Sequence, residues 1–574
     1  MLAPEIRDTY LRWCKLAVED PELPAELAAI AEDENEIYER FYRELDFGTA
    51  GLRGKIAAGT DRMNIYTVRK ATQGLADYLN QSSEAAAVAI AYDSRIKSEL
   101  FAREAARTLA ANGVKAYLFP ELVPTPTLSF AVRELHCGAG IMVTASHNPS
   151  AYNGYKCYGP DGCQMTDAAA GAVTACIRNL DIFEDVRVAD YDEAVADGRI
   201  VILGEEVMEA FLQNVAAQQV RPGLCESAGL HVIYTPLHGT GNKPVREILR
   251  RIGVSDVTVV GEQELPDGNF PTVTYPNPEF REAFNCALAM AETLEPDLLL
   301  ATDPDADRVG IAVRRDGQYE LLTGNEVGCL MLNYILSSRA ELGTMPEAPM
   351  MCKSIVTTDL VKPIAAKYGC RCVDLLTGFK YIGEQILLLE QAGHPERYVL
   401  GFEESYGYLS GTYVRDKDAV VASMLICEMA AYYKTQGKSL LDVMQDLYDE
   451  FGWYRHSVVN VGLEGAEGMK MMAAIMEGLR AAAPTAIAGY PVLCVRDYQL
   501  SVETDIVAGT EAPIDLPKSN VITFCLPDGA SVVFRPSGTE PKIKAYITAT
   551  GKTAAAAKEA AEVLTAEAKK MLGQ

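Results

Sequence analysis

Residues 140–149 read Gly140-Ile141-Met142-Val143-Thr144-Ala145-Ser146-His147-Asn148-Pro149. The first half is a short continuous apolar run, the pattern of a strand buried on both faces. Asn148-Pro149 forces a turn just beyond it, which projects the Ser146 hydroxyl outward. A residue just past the carboxyl end of a parallel strand stands where α/β folds place their ligands. An ordinary turn-forming serine gives the same local pattern, so its surroundings must decide.

Upstream, Ala87–Tyr92 and Val114–Phe119 are strand-like, and residues 98–112 and 126–136 carry helical periodicity. This alternation predicts a mostly parallel sheet covered on both faces. The cycle recurs with His231–Thr235, Val257–Val260 and Leu298–Ala301, and again with Met350–Val356, Arg371–Leu375 and Tyr398–Phe402. The last stretch differs. Ser457–Gly462, Val495–Leu500, Val521–Leu526, Ser531–Phe534 and Ile543–Ala549 read as strands of an antiparallel sheet, with Asp528-Gly529 as a hairpin turn. Residues 553–572 read as a terminal helix, and residues 1–45 as an amphipathic helical extension. The expected fold is therefore α/β: three similar α/β domains with mixed, mostly parallel sheets, then a C-terminal α+β domain. The expected boundaries are 1–205, 206–325, 326–452 and 453–574.

Asp303-Pro304-Asp305-Ala306-Asp307-Arg308 follows the apolar run Leu298–Ala301. In an extended segment alternate residues share a side, so the three carboxylates can converge. Like charges so close repel unless a cation neutralises them, and hard oxygen ligands favour magnesium. An EF-hand also begins D-x-D-x-D, but it needs Gly sixth and Glu twelfth, where Arg308 and Arg314 stand. Phe47–Lys55 is rich in glycine, yet Ile56 stands where a P-loop needs Ser or Thr. Arg535-Pro536-Ser537-Gly538-Thr539-Glu540-Pro541-Lys542 offers a guanidinium, two hydroxyls and backbone N–H groups, as an anion-binding nest does. Gly401-Phe402-Glu403-Glu404-Ser405-Tyr406-Gly407 joins carboxylates to a hydroxyl, suited to sugar hydroxyls. Lys156 lies shortly after Ser146, which makes it a candidate acid/base. A serine that can carry a phosphoryl group and a cluster that can hold a divalent ion together point to phosphoryl transfer.

Composition narrows the partners. Lys and Arg total 52 against 79 Asp and Glu, a net charge of -27, and no basic stripe interleaved with aromatics stands out. Nucleic acid is not expected as a partner. The 14 cysteines show no CxxC, the pattern of reduced thiols, so a cytoplasmic location is expected. No secretory signal is read at the N-terminus, and no apolar run approaches the ~20 residues that span a bilayer.

Taken together, Thr144–Pro149, Asp303–Arg308, Gly401–Gly407 and Arg535–Pro541 resemble, in order and content, four motifs of the α-D-phosphohexomutase superfamily. Phe47–Lys55, Gly401–Gly411 and Arg415-Asp416-Lys417-Asp418 look most like its bacterial phosphoglucomutase and phosphopentomutase branch. The resemblance implies four domains around a central cleft. It implies that Ser146 is the phosphoserine, and that Mg2+, one per chain, is held by Ser146, Asp303, Asp305 and Asp307. Arg53 and Arg308 would support the transferring phosphoryl group, with Lys156 and His147 beside it. Thr377, Gly378, Glu403 and Ser405 would read the sugar. Lys417, Arg535, Ser537, Gly538 and Thr539 would contact phosphate. The implied activity is interconversion of α-D-glucose 1-phosphate and glucose 6-phosphate, with glucose 1,6-bisphosphate as intermediate and activator. The alternatives are a phosphopentomutase, a phosphomannomutase, a metal-dependent sugar-phosphate phosphatase or a silent scaffold. Small-molecule sugar phosphates are the expected partners, with no nucleic acid and no membrane, on a monomer or weak dimer. One departure stands out: some phosphomannomutase/phosphoglucomutase relatives carry His two residues past the serine of the third motif, where this chain has Gly407.

Overall fold

A computed structural model describes residues 2–48, 51–81, 86–463, 465–536 and 542–574. The chain divides into two compact units: residues 1–324, 382–401 and 405–439 form the first, and 325–381, 402–404 and 440–574 the second.

The first unit holds two mixed sheets built on one plan. In the first sheet, β1 (Gly51–Lys55), β2 (Ala87–Tyr92), β3 (Lys115–Leu118), β4 (Ala139–Val143), β5 (Tyr152–Tyr158) and β6 (Ile200–Ile202) take the order β1-β5-β4-β2-β3-β6. Strands β4, β2, β3 and β6 run parallel, while β5 and β1 add on antiparallel. In the second sheet, β7 (His231–Thr235), β8 (Asp256–Val259), β9 (Leu298–Thr302), β10 (Val309–Arg315) and β11 (Gln318–Leu322) take the order β11-β10-β9-β7-β8. Again the parallel strands β9, β7 and β8 are extended by an antiparallel pair, β10 and β11. Every residue of β4 and of β9 is buried, which explains the apolar runs Ala139–Val143 and Leu298–Ala301. The Gly51–Lys55 stretch is thus an edge strand, consistent with rejecting a P-loop there.

The N-terminal extension resolves into three helices, Pro4–Leu16, Glu22–Ala29 and Glu34–Phe41. Asp33 caps the third by accepting from the backbone N–H groups of Asn35 and Glu36. Trp13 is 1% exposed and meets Tyr66 and Phe183 edge-on, with ring centroids 5.6 and 5.4 Å away. Arg12 grips Asp181 through two parallel bonds of 2.6 and 2.9 Å. The extension is therefore part of the first unit's core.

Further along the chain come β12 (Met350–Ser354), β13 (Arg371–Leu375), β14 (Tyr398–Glu403) and β15 (Gly407–Leu409). Strands β12 and β13 pair in parallel within the second unit. The C-terminal part of that unit is an antiparallel sheet of β16 (Trp453–Gly462), β19 (Cys494–Asp497), β20 (Val502–Asp505), β21 (Thr510–Pro513), β22 (Ile522–Cys525), β23 (Ser531–Pro536) and β24 (Lys542–Gly551). Its order is β16-β24-β23-β22-β19-β20-β21, and a small hairpin of β17 (Ala486–Ile487) and β18 (Tyr490–Pro491) stands apart. The turn at Asp528-Gly529 joins β22 to β23, with φ of 56° and 82°. The terminal helix is Ala554–Met571, seated on the sheet through Ala560, Leu564 and Ala568. So three α/β stretches are followed by a β-rich one, as the sequence pattern predicts.

Two local expectations change. The strand read as Val495–Leu500 ends at Asp497, and β20 and β21 follow it. Both later strands are polar and every residue of β21 is exposed, so no apolar alternation announces them. The helix Gly465–Ala481 is an element beyond those the sequence pattern predicts. All 14 cysteines are free thiols, and no described helix is long and apolar enough to cross a membrane.

Trp13→Ala removes the ring that fixes the N-terminal helix. It should destabilise the first unit by about 3–5 kcal/mol, read as a lowered urea midpoint. An unchanged midpoint would show the extension to be an appendage.

Candidate active site

The connection from β4 to the antiparallel β5 carries Ser146. Its backbone lies in the left-handed region, φ 50°, and the residue is 4% exposed. The Thr144 hydroxyl accepts from the Ser146 N–H at 2.8 Å and donates to buried Asp93 at 2.6 Å. The strained conformation is thus held by a fixed network. Strand β5 approaches the loop closely at Gly154, where an added Cβ would lie 2.4 Å from the Thr144 carbonyl oxygen.

The corresponding connection, from β9 to β10, carries Asp303, Asp305 and Asp307. It is a turn, not an extended segment, and Ala306 has φ 47°. The carboxylates converge because the chain doubles back, which corrects the alternate-residue argument. One ligand oxygen from each lies within 4.8 Å of the others, and all three side chains are buried. Ser146 Oγ donates to Asp303 Oδ2 at 2.8 Å, so the two loops meet at the serine.

Cations and donors surround the cluster. Asp303 Oδ1 accepts from the N–H groups of Asp307 and Arg308 at 3.1 and 3.0 Å. Asp305 Oδ2 accepts from Lys156 Nζ and Thr125 Oγ1, both at 2.9 Å. Asp307 Oδ2 lies 3.0 Å from Lys417 Nζ and 3.8 Å from Lys156 Nζ. Lys156, on β5, thus stands at the carboxylate centre. Lys417, expected among the phosphate contacts, stands in the carboxylate centre. The reason is Gly407: a Cβ there would come 2.1 Å from Lys417 Cδ, so the lysine stem fills the space a side chain would need.

Burial, then repulsion from Asp305 and Asp307, raises the Asp303 carboxyl well above its ordinary range. Burial acts the same way on Asp305, but Lys156, the Asp303 hydrogen bond and Lys417 outweigh it and hold that carboxyl low. Asp305 Oδ1 and Asp307 Oδ1 are buried and accept no hydrogen bond. Two orphaned anionic oxygens and one carboxyl driven to hold a proton are what a missing cation would relieve. An all-oxygen donor set suits a hard divalent ion, so these residues fit magnesium.

His147 Nδ1 is 3.2 Å from Ser146 Oγ. Burial, then Arg308 and Arg53, push its imidazole well below the usual range, so it is neutral at neutral pH. Arg308 donates to Glu279 at 2.7 Å, and Arg53 reaches Asn148 Oδ1 at 3.4 Å. Ser405 lies half-buried in the turn before β15.

The second unit holds its own group of expected residues. The Gly378 N–H donates to Glu403 Oε1 at 2.8 Å, and Thr377 Oγ1 is buried without a hydrogen-bond partner. Glu404, which sequence reasoning did not single out, accepts from Ser354 and Thr357 at 3.1 and 3.0 Å. Arg535, on β23, stands opposite Lys544 of β24, and burial followed by the negative charge of Glu404 pushes the Tyr546 hydroxyl up to about 12. Ser537, Gly538 and Thr539 lie outside the described residues.

Comparison with known proteins agrees with this geometry. Family models for phosphoglucomutase/phosphomannomutase alpha/beta/alpha domains I, II and III match residues 44–182, 209–317 and 323–451. A phosphoglucomutase of Staphylococcus haemolyticus is 37% identical over 508 residues, 88% of this chain and 90% of that protein. One from Staphylococcus aureus is 37% identical over 521 residues, covering 90% and 92%. The fold is shared with the open form of pp63/parafusin from Paramecium, at TM-score 0.70 and 17% identity over 92% of this chain and 96% of that one. It is shared too with a putative phosphomannomutase of Thermus thermophilus, at TM-score 0.68 and 23% identity over 93% and 100%. With three successive domain models matched and relatives aligned along most of both chains, this chain belongs to the phosphoglucomutase/phosphomannomutase family, on the bacterial phosphoglucomutase branch of the α-D-phosphohexomutase superfamily.

Proposed function

We propose that the chain interconverts α-D-glucose 1-phosphate and glucose 6-phosphate, with Ser146 carrying the phosphoryl group in transit. The observation that carries this reading is the meeting of Ser146 Oγ with Asp303 at 2.8 Å, inside a cluster of buried carboxylates and lysines. The relatives named phosphoglucomutase support the choice of sugar. The matched models, at 44–182, 209–317 and 323–451, change over within a few residues of the proposed boundaries at 205, 325 and 452 and so support that division. A cytoplasmic setting is in keeping with 14 free thiols.

In this reading a sugar hydroxyl attacks the phosphorus of phosphorylated Ser146. The new O–P bond forms as the bond to Ser146 Oγ breaks, and the hydroxyl proton moves to a base while Oγ regains one. Lys156, Lys417 and His147 surround the carboxylates and the serine, and these three are the proton-transfer groups of the proposal. Glucose 1,6-bisphosphate then presents its other phosphoryl group to Ser146. Asp303, Asp305 and Asp307, with a phosphoserine oxygen, would hold one Mg2+, which when bound offsets negative charge on the transferring group. Arg53 and Arg308 supply fixed positive charge beside it. Thr377, Gly378, Glu403 and Ser405 orient the sugar, and Arg535, Ser537, Gly538 and Thr539 hold the phosphate that does not react.

Peptide mass analysis after incubation with glucose 1,6-bisphosphate should find the phosphate on Ser146. Ser146→Ala should lose at least about 10³-fold in kcat. Phosphate at another site with an active alanine variant would refute the assignment.

EDTA should abolish turnover and Mg2+ restore it. Asp305→Asn exchanges an anionic ligand for a neutral amide, so calorimetric titration should show Mg2+ binding weakened by about tenfold or more. Tight binding by the variant would place the ion elsewhere.

Gly407→Ala should drive Lys417 away from Asp307. Steady-state kinetics on glucose 1-phosphate should show kcat falling on the order of 10²-fold with a smaller change in KM. Wild-type kcat would remove Lys417 from proton transfer.

A further inference from the structure

Arg95 lies in the connection after β2, and its side chain has no solvent exposure. Its guanidinium has five N–H groups, and each is aimed at a backbone carbonyl of the serine loop. Nε and Nη2 both reach Ser146 O, and Nη2 also reaches Asn148 O. Nη1 donates to Pro149 O and Tyr152 O, each at 3.0 Å. One face of the group lies over the Phe270 ring, 5.1 Å from its centroid. Asp93 stands 3.5 Å from Nε and accepts from the Arg95 N–H at 2.9 Å.

Four carbonyl oxygens from a stretch of seven residues thus point toward one another. Without a cation between them their dipoles repel, and buried carbonyls left unpaired are costly. Lysine could not serve in the same way, because a point charge lacks the planar fork that reaches four acceptors. The same loop holds Ser146 at φ 50°, a conformation that a free loop would leave. Asp93 ties the two supports together: it faces Arg95 and, through Thr144, fixes the Ser146 N–H.

We propose that Arg95 is the positioning residue of the nucleophile loop, setting Ser146 Oγ against Asp303 while touching neither substrate nor the reacting atoms. This rests on Ser146 being the phosphorylated residue. Loss of the guanidinium lets the loop relax, and misplacing a reacting atom by about 1 Å costs on the order of 10²-fold in rate. The binding of a sugar phosphate to other side chains is left intact, so the loss falls on kcat and not on KM.

The test is the rate at which glucose 1,6-bisphosphate phosphorylates the dephosphorylated protein, with the site mapped by peptide mass analysis, alongside steady-state kinetics. Arg95→Ala should slow phosphorylation of Ser146 and kcat by about 100-fold at unchanged KM. Added guanidinium ion at low, non-denaturing concentration should recover part of the rate, whereas sodium chloride at equal ionic strength should not. Arg95→Lys should recover only a small part. Wild-type phosphorylation rates in Arg95→Lys, or an alanine variant whose loss lies in KM and resists guanidinium, would overturn the proposal. If the alanine variant does not fold, the lysine variant decides alone: reduced kcat at unchanged KM supports it and wild-type kcat overturns it. Phosphate mapping to a residue other than Ser146 in the unmodified protein would instead overturn the assignment of the nucleophile.

Discussion

Three carboxylates buried within 4.8 Å of one another are the constraint around which the first unit is arranged. Coulomb repulsion at that spacing is large in a medium of low polarity, so positive charge must be brought to them. It comes from separate places in the chain. Lys156 is delivered by an antiparallel strand, Lys417 by the segment after β15, and Arg308 by the turn itself. Thr125 and Ser146 add hydroxyl donors. Two carboxylate oxygens still accept no hydrogen bond, and that residual imbalance marks the centre as built for a further cation.

The two sheets of the first unit solve the same problem in the same way. Each runs parallel strands up to a last one, β4 or β9, then turns into an antiparallel neighbour, β5 or β10. The functional loop sits at that joint in both. The loop beginning near Glu403 likewise lies between consecutive strands, β14 and β15. A joint between parallel and antiparallel pairing has a rigid strand on either side and a short free segment between. Such a segment can adopt left-handed conformations, as Ser146 and Ala306 do, because its flanks are locked.

Much of this was legible in the sequence, and for identifiable reasons. The central strand runs Ala87–Tyr92, Ala139–Val143 and Leu298–Ala301 are apolar because both faces are covered. The serine loop and the acidic turn are legible because polar residues follow those strands directly. What escaped were features that depend on tertiary contact. Strand β20 and the edge strand β21 are polar and contain no buried residue, so no period of two marks them. The placing of Lys417 beside Asp307 is not legible locally, because its stem occupies the space left by Gly407, ten residues earlier in sequence and in van der Waals contact in space. Arg95 was not singled out, since nothing local shows that its partners are carbonyls more than fifty residues away.

The contact between Gly407 and Lys417 has an evolutionary consequence. One volume serves either a side chain at 407 or a long stem at 417, but not both. A lineage that gains a side chain at 407 must also shorten the one at 417, and each single change passes through a crowded or an empty intermediate. The two substitutions are therefore strongly non-additive, and exchange between the two solutions is rugged although the sites are neighbours.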